Sequence, residues 1–155
     1  MTRPLTLRIA LVDGEHARFV EPDTSNVLRT VGGMDAASAH LRSQDLTSDR
    51  PGRAFESGST ARHAIAPRHD QHTIEKQRFA RMVGEELTAA VKRDDFDELL
   101  LIAPPRVLSD VLDALDAAAA DRLVGTLEKD LVKTPDHELW PHVSEWVSRS
   151  RRPTG

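Results

Sequence analysis

Arg78 and Arg81 stand one helical turn apart in the stretch QRFAR, and Asp49, Arg50 and Arg53 surround a Pro-Gly pair in SDRPGR. A guanidinium forks onto phosphate or carboxylate through parallel N–H donors, so two of them on one turn or one helix face can hold an anion. Each group also has a plainer reading. Arg78 and Arg81 suit a solvated helix face with Glu75 and Glu85 as neighbours, and SDRPGR suits a loop docked through Asp49 and Arg53. Asp13, in an Asp-Gly pair after an apolar stretch, offers a carboxylate of the kind a metal-dependent hydrolase uses. Such an enzyme needs three or four carboxylates converging on two metal ions. Glu15 is near, but Glu98 precedes its apolar run, so Asp13 reads first as a turn residue. His63, His69 and His72 have the spacing of neither a helix face nor a zinc finger. His137 and His142, five apart, share no helix face well. No metal and no cofactor is expected.

The elements that must position these groups follow from periodicity. Phe79, Met82, Val83, Leu87, Ala90 and Val91 recur at three- and four-residue spacing, which predicts one buried face of a helix beginning at His72 and running about six turns. Arg78 and Arg81 fall on its opposite face. Gly84 costs that helix about 1 kcal/mol relative to alanine, so a close neighbour is expected there. Glu98–Ala103 (ELLLIA) is apolar on both faces and predicts a central strand covered by helices on both sides. Pro104 and Pro105 stop it, and Val107 to Ala119 predicts one further helix, with Asp110, Asp113 and Asp116 on its wet face.

Upstream, Leu5–Val12 alternates as a first strand, Asp13-Gly14 turns, and Ala17–Glu21 returns. Pro22-Asp23 makes a second turn. Asn26–Val31 is a third strand ended by Gly32-Gly33, and Met34–Leu41 is Ala-rich enough for two helical turns. Downstream, Arg122–Leu127 reads as a fifth strand. Thr134 reads as a helix N-cap with Pro135 at the first helical position. Leu139, Trp140, Val143, Trp146 and Val147 supply the last helix's buried side. The expectation is a single α/β domain over residues 1–148, with a mixed five-stranded sheet in the order β-β-β-α-β-α-β-α and a basic tail at 149–155.

Composition bounds the function. A chain of 155 residues is one domain with a real core. It has no cysteine, hence no disulfide or thiolate chemistry. Its apolar runs are far shorter than the ~20 residues of a membrane span, and Arg8 and Asp13 interrupt the N-terminal one, so neither signal peptide nor membrane insertion is expected. That fits a cytoplasmic protein. The formal net charge of −4 argues against unspecific nucleic-acid binding over the whole surface, DNA included. A local basic patch within Arg42–Arg81 remains compatible with it.

The combination QRFAR with DELLLIAPPRVL, together with SDRPGRAFES at 48–57 and LVDGEHARFV at 11–20, resembles the bacterial host attachment protein family, whose members are said to be needed for attachment to host cells. The resemblance covers nearly the whole chain. That family in turn looks like a relative of the middle domain of eukaryotic and archaeal peptide-release factors, which implies an RNase H-like fold. In those domains RFAR follows a catalytic Gly-Gly-Gln loop by three residues. The matching positions here are His72, Thr73 and Ile74. Without the glycines and the glutamine the resemblance implies that peptidyl-tRNA hydrolysis is lost. What remains is a non-enzymatic binding or regulatory protein with an unknown protein or RNA partner, the ribosome included. The alternatives are an RNA- or ribosome-associated protein using Arg50, Arg53, Arg78 and Arg81, and a metal-dependent hydrolase built on Asp13.

Residues 42–71, rich in Ser, Asp, Arg, Gly and Pro, carry too little apolar surface to offset the entropy of ordering, which predicts a long flexible loop. Limited proteolysis is expected to cut first between Arg50 and Arg68 and to leave a stable C-terminal core. First cleavage within Phe79–Leu131 would contradict this.

Overall fold

A computed structural model describes residues 5–37 and 68–150. SDRPGR, with Asp49, Arg50 and Arg53, lies outside them. Five strands, β1 (Leu7–Val12), β2 (His16–Pro22), β3 (Leu28–Asp35), β4 (Glu98–Ile102) and β5 (Leu123–Leu127), form one mixed sheet in the order β3-β2-β1-β4-β5. β2 runs antiparallel to β1 and to β3, while β4 runs parallel to β1 and to β5.

The centre of the sheet is apolar on both sides, as the ELLLIA run requires. Leu7, Ile9, Leu11, Leu100 and Ile102 face one way, into a core with Leu139 and with Val143 and Val147 of α4 (Trp140–Ser150). Ala10, Val12, Leu99 and Leu101 face the other way, against Phe79, Ala80, Val83 and Leu87 of α1 (Arg68–Lys92) and Val107, Leu108 and Val111 of α2 (Pro105–Ala114). Helices therefore cover both faces.

Four local expectations are corrected. α1 starts at Arg68, so His72 lies in its second turn and residues 68–71 belong to the helix and not to a loop. β3 does not stop at Gly32-Gly33. The register with β2 jumps from Phe19↔Gly32 to Val20↔Thr30, leaving Val31 as a bulge, and pairing continues to Asp35. A Cβ on Gly33 would stand 2.8 Å from the Ala17 carbonyl oxygen, so glycine here admits a close backbone approach and does not break the strand. The helix expected over Val107–Ala119 is two helices. Leu115 is extended, and Asp116 restarts the chain as the N-cap of α3 (Ala117–Asp121), its side chain accepting from the Ala119 amide at 2.8 Å. Lastly, Thr134 does not cap α4. A single 3-10 turn, Asp136–Glu138, comes first, and Trp140 stands 39% exposed while Leu139, Val143 and Val147 carry the buried side.

The Pro22-Asp23 turn forms as expected. Asp23 Oδ1 accepts from the Ser25 and Val27 amides, and its Oδ2 accepts from Arg29 Nε at 3.0 Å. The Arg29 hydrogen bond, followed by those amides, holds the Asp23 carboxyl below the usual carboxylate range.

Gly84 marks the tight crossing of α1 and α2: a Cβ there would lie 2.5 Å from Ala114 Cβ and 2.9 Å from the Val111 carbonyl oxygen. Gly84→Ala removes glycine's helix penalty of about 1 kcal/mol but overpacks a rigid contact, at a cost of about 1–3 kcal/mol. Urea unfolding is expected to show a net loss of stability. A gain would mean that α2 yields at this crossing.

Candidate functional site

Arg78 and Arg81 are both exposed on the outer side of α1, and among the described residues neither forms an ion pair, with Glu75 and Glu85 included. They do not share a pocket. Arg81 lines a groove of about 480 Å³ between α1 and α2, in the company of Glu85, Asp110 and Asp113. Three carboxylates around one guanidinium weaken its pull on a phosphate.

Asp13 occupies the carboxyl end of β1. Its Oδ1 accepts from the Glu15 amide at 2.8 Å and the His16 amide at 2.6 Å, and the Asp13 amide donates to the His16 carbonyl at 2.8 Å. The His16 Nδ1 stands 3.5 Å away. This is a side chain closing its own turn. Glu98 pairs with Leu7 at the opposite end of the sheet and cannot join it. Among the described residues no three histidines or carboxylates gather as a metal site. His72 is exposed on α1, His137 is exposed on the 3-10 turn, and His142 meets Lys129 Nζ at 3.2 Å. The side chains of His63 and His69 lie outside the described residues.

Sequence reasoning missed a cleft of about 450 Å³ at the carboxyl ends of β1 and β4. Its wall combines the β1–β2 turn with the second and third turns of α1, the β4–α2 junction and the segment at 130–133. Three cations reach it from three separate elements: Lys76 from α1, Arg106 from the start of α2, and Lys133. Gly14 is part of the arrangement. Its φ is not positive, so the hairpin does not need glycine for backbone freedom. The Lys76 side chain crosses it closely, and a Cβ on Gly14 would stand 2.8 Å from Lys76 Cγ and Cδ. The available signals were a glycine in the β1–β2 turn and a basic residue directly after Pro104-Pro105.

The sequence model of a family described as "Protein required for attachment to host cells" matches residues 8–143. None of the curated proteins matches the chain.

If Asp13 serves its turn alone, Asp13→Asn, which keeps Oδ1 as acceptor, should change stability by no more than about 0.5 kcal/mol. Asp13→Ala, losing both acceptances, should cost about 1–2 kcal/mol. Magnesium should leave the thermal midpoint of all three proteins unchanged. A magnesium-dependent rise in wild type that Asp13→Asn abolishes would instead make Asp13 a metal ligand.

Proposed function

The chain belongs to the family of proteins required for attachment to host cells, and from that premise we propose that it is a binding or regulatory protein without catalysis of its own. The observation that carries the non-catalytic part is the engagement of Asp13 by two backbone amides of its own turn. The strand order β3-β2-β1-β4-β5, with antiparallel leading strands and parallel later ones, supports an RNase H-like reading and kinship with release-factor middle domains. His72, Thr73 and Ile74 stand where those domains carry their catalytic loop, and here they are turns of α1. A helical segment lacks the mobile glycine tip that places water at a peptidyl ester. Purified protein should therefore show no turnover of peptidyl-tRNA.

The absence of a long apolar helix among the described residues accords with a protein that does not insert in a membrane through one. We place its action in the cytoplasm, upstream of attachment itself. Affinity capture from the native cell, with and without RNase, tests the reading. A protein partner retained after RNase supports it, and a catalytic activity of the isolated chain would overturn it.

RNA association is the second reading, favoured by Arg78 and Arg81, which are exposed and have no ion pair among the described residues. With Arg50 and Arg53 they would make about four phosphate contacts, which gives single-stranded RNA a log–log salt slope near −3. Arg78→Ala with Arg81→Ala should flatten that slope by about 1 to 2 units. A slope that survives both substitutions would place the site elsewhere, with Arg149, Arg151 and Arg152 next.

A further inference from the structure

We propose that the cleft at the carboxyl ends of β1 and β4 binds a small phosphorylated ligand bearing sugar hydroxyls, of the nucleoside diphosphate or sugar phosphate class. Its phosphate is held by Lys76, Arg106 and Lys133. The inference names a ligand for the binding protein proposed above and rests on that reading.

Topology provides the crevice. β1 and β4 are parallel neighbours, but the chain leaves β1 toward β2 on one side and β4 toward β5 on the other. Connections that diverge from adjacent parallel strands open a gap at the strand ends, the usual ligand position in open α/β sheets. At about 450 Å³ the cleft matches pockets for small ligands, roughly 300–1,000 Å³.

Most arginines of the described residues are already paired, and the cations of the cleft are not. Arg8, Arg18, Arg29, Arg93, Arg122 and Arg149 each have a carboxylate within 4.0 Å. Among the described residues Lys76, Arg106 and Lys133 have none, although they converge on one cavity. A phosphate placed among the three would give each of them an anionic partner. The Lys76 side chain is brought in across Gly14, where any side chain would displace it.

Asp13, Glu15, Asp110 and Asp130 share the wall, so carboxylates outnumber cations and the cleft is not a basic funnel. A long polyanion would set further phosphates against these carboxylates. A compact ligand avoids this, with phosphate at one end and hydroxyls that donate to carboxylate oxygens at the other.

The test is calorimetric titration of the full chain with ADP, UDP and ribose 5-phosphate, with adenosine and a single-stranded RNA dodecamer as comparisons. At least one phosphorylated probe should saturate at one per chain, and adenosine should not. Lys76→Ala and Arg106→Ala, both at exposed positions, should each weaken binding about tenfold or more, circular dichroism showing the fold retained. Gly14→Ala changes no charge and should weaken binding as well, because its Cβ displaces the Lys76 chain. Lys92→Ala, at the far end of α1, should bind as wild type does. No saturation by any of the three probes at millimolar concentration overturns the proposal. So does binding of the dodecamer alone, or binding that survives loss of Lys76, Arg106 and Lys133 together. The titration needs no cellular partner, so its failure leaves a captured partner standing, and a failed capture leaves the titration standing.

Discussion

The parallel pairing of β1 with β4 is the constraint from which the rest of the molecule follows. Ile9, Ala10, Leu11, Leu99, Leu100, Leu101 and Ile102 are fully buried, on both faces of the sheet. A strand pair that is apolar on both sides leaves no face for water, so helices must cover it twice. α1 and α2 close one side, where Gly84 lets them approach within reach of a methyl group. α4 closes the other, resting Trp146 against Gly125 on β5. Truncating one of these leucines to alanine typically costs about 2–5 kcal/mol, a large share of a domain's stability.

The polar groups near this core are arranged so as not to oppose it. Arg8 interrupts the apolar run of β1, yet its guanidinium sits over the Phe19 and Phe96 rings at 5.7 and 5.1 Å and pairs with Glu21 at 2.8 Å. Arg18 projects from β2 to the segment before α4, donating to the Val132 carbonyl at 2.7 Å and to the Thr134 carbonyl. Asp136 completes the clasp, accepting from the Thr30 amide and hydroxyl at 3.0 and 2.7 Å. That last pair also occupies an amide on edge strand β3, which helps keep the edge from pairing with another chain.

What could be read in the sequence was what periodicity encodes. The Phe79–Val91 stripe and the Leu99–Ile102 run each depend on near neighbours, and both stand as expected. The failures lie where a distant contact overrides a local signal. Gly32-Gly33 looks like a strand end until Ala17 is seen pressed against it, and Asp116 looks like one more wet aspartate until Ala119 folds back to it. Residues 68–71 are polar, but they extend a helix whose later turns have a sheet to pack on. Asp13 was legible because its partners are two and three residues away. Lys76, Arg106 and Lys133 are separated by 30 and 27 positions and share no motif, so only the tertiary fold assembles them.

The same geometry weighs the two anion-binding arrangements against each other. Arg81 faces Glu85, Asp110 and Asp113 in a groove whose other lining side chains, Gln77 and Ala114, are neutral, so its local field is negative. Arg78 stands outside that groove, and one exposed guanidinium on a chain of net charge −4 gives little steering at physiological salt, where fields decay over about 8 Å. The strand-end cleft differs in number, with three cations against four carboxylates where Arg81 stands alone against three. Its three cations are brought to a common cavity by α1, α2 and the segment before the 3-10 turn, where they stand among Asp13, Glu15, Asp110 and Asp130. Preorganised charge in a cleft binds more tightly than the same charge on an open helix, because less side-chain entropy is lost on contact. We therefore keep the proposed phosphate site at the strand ends and leave Arg78 and Arg81 for contacts that need no cavity.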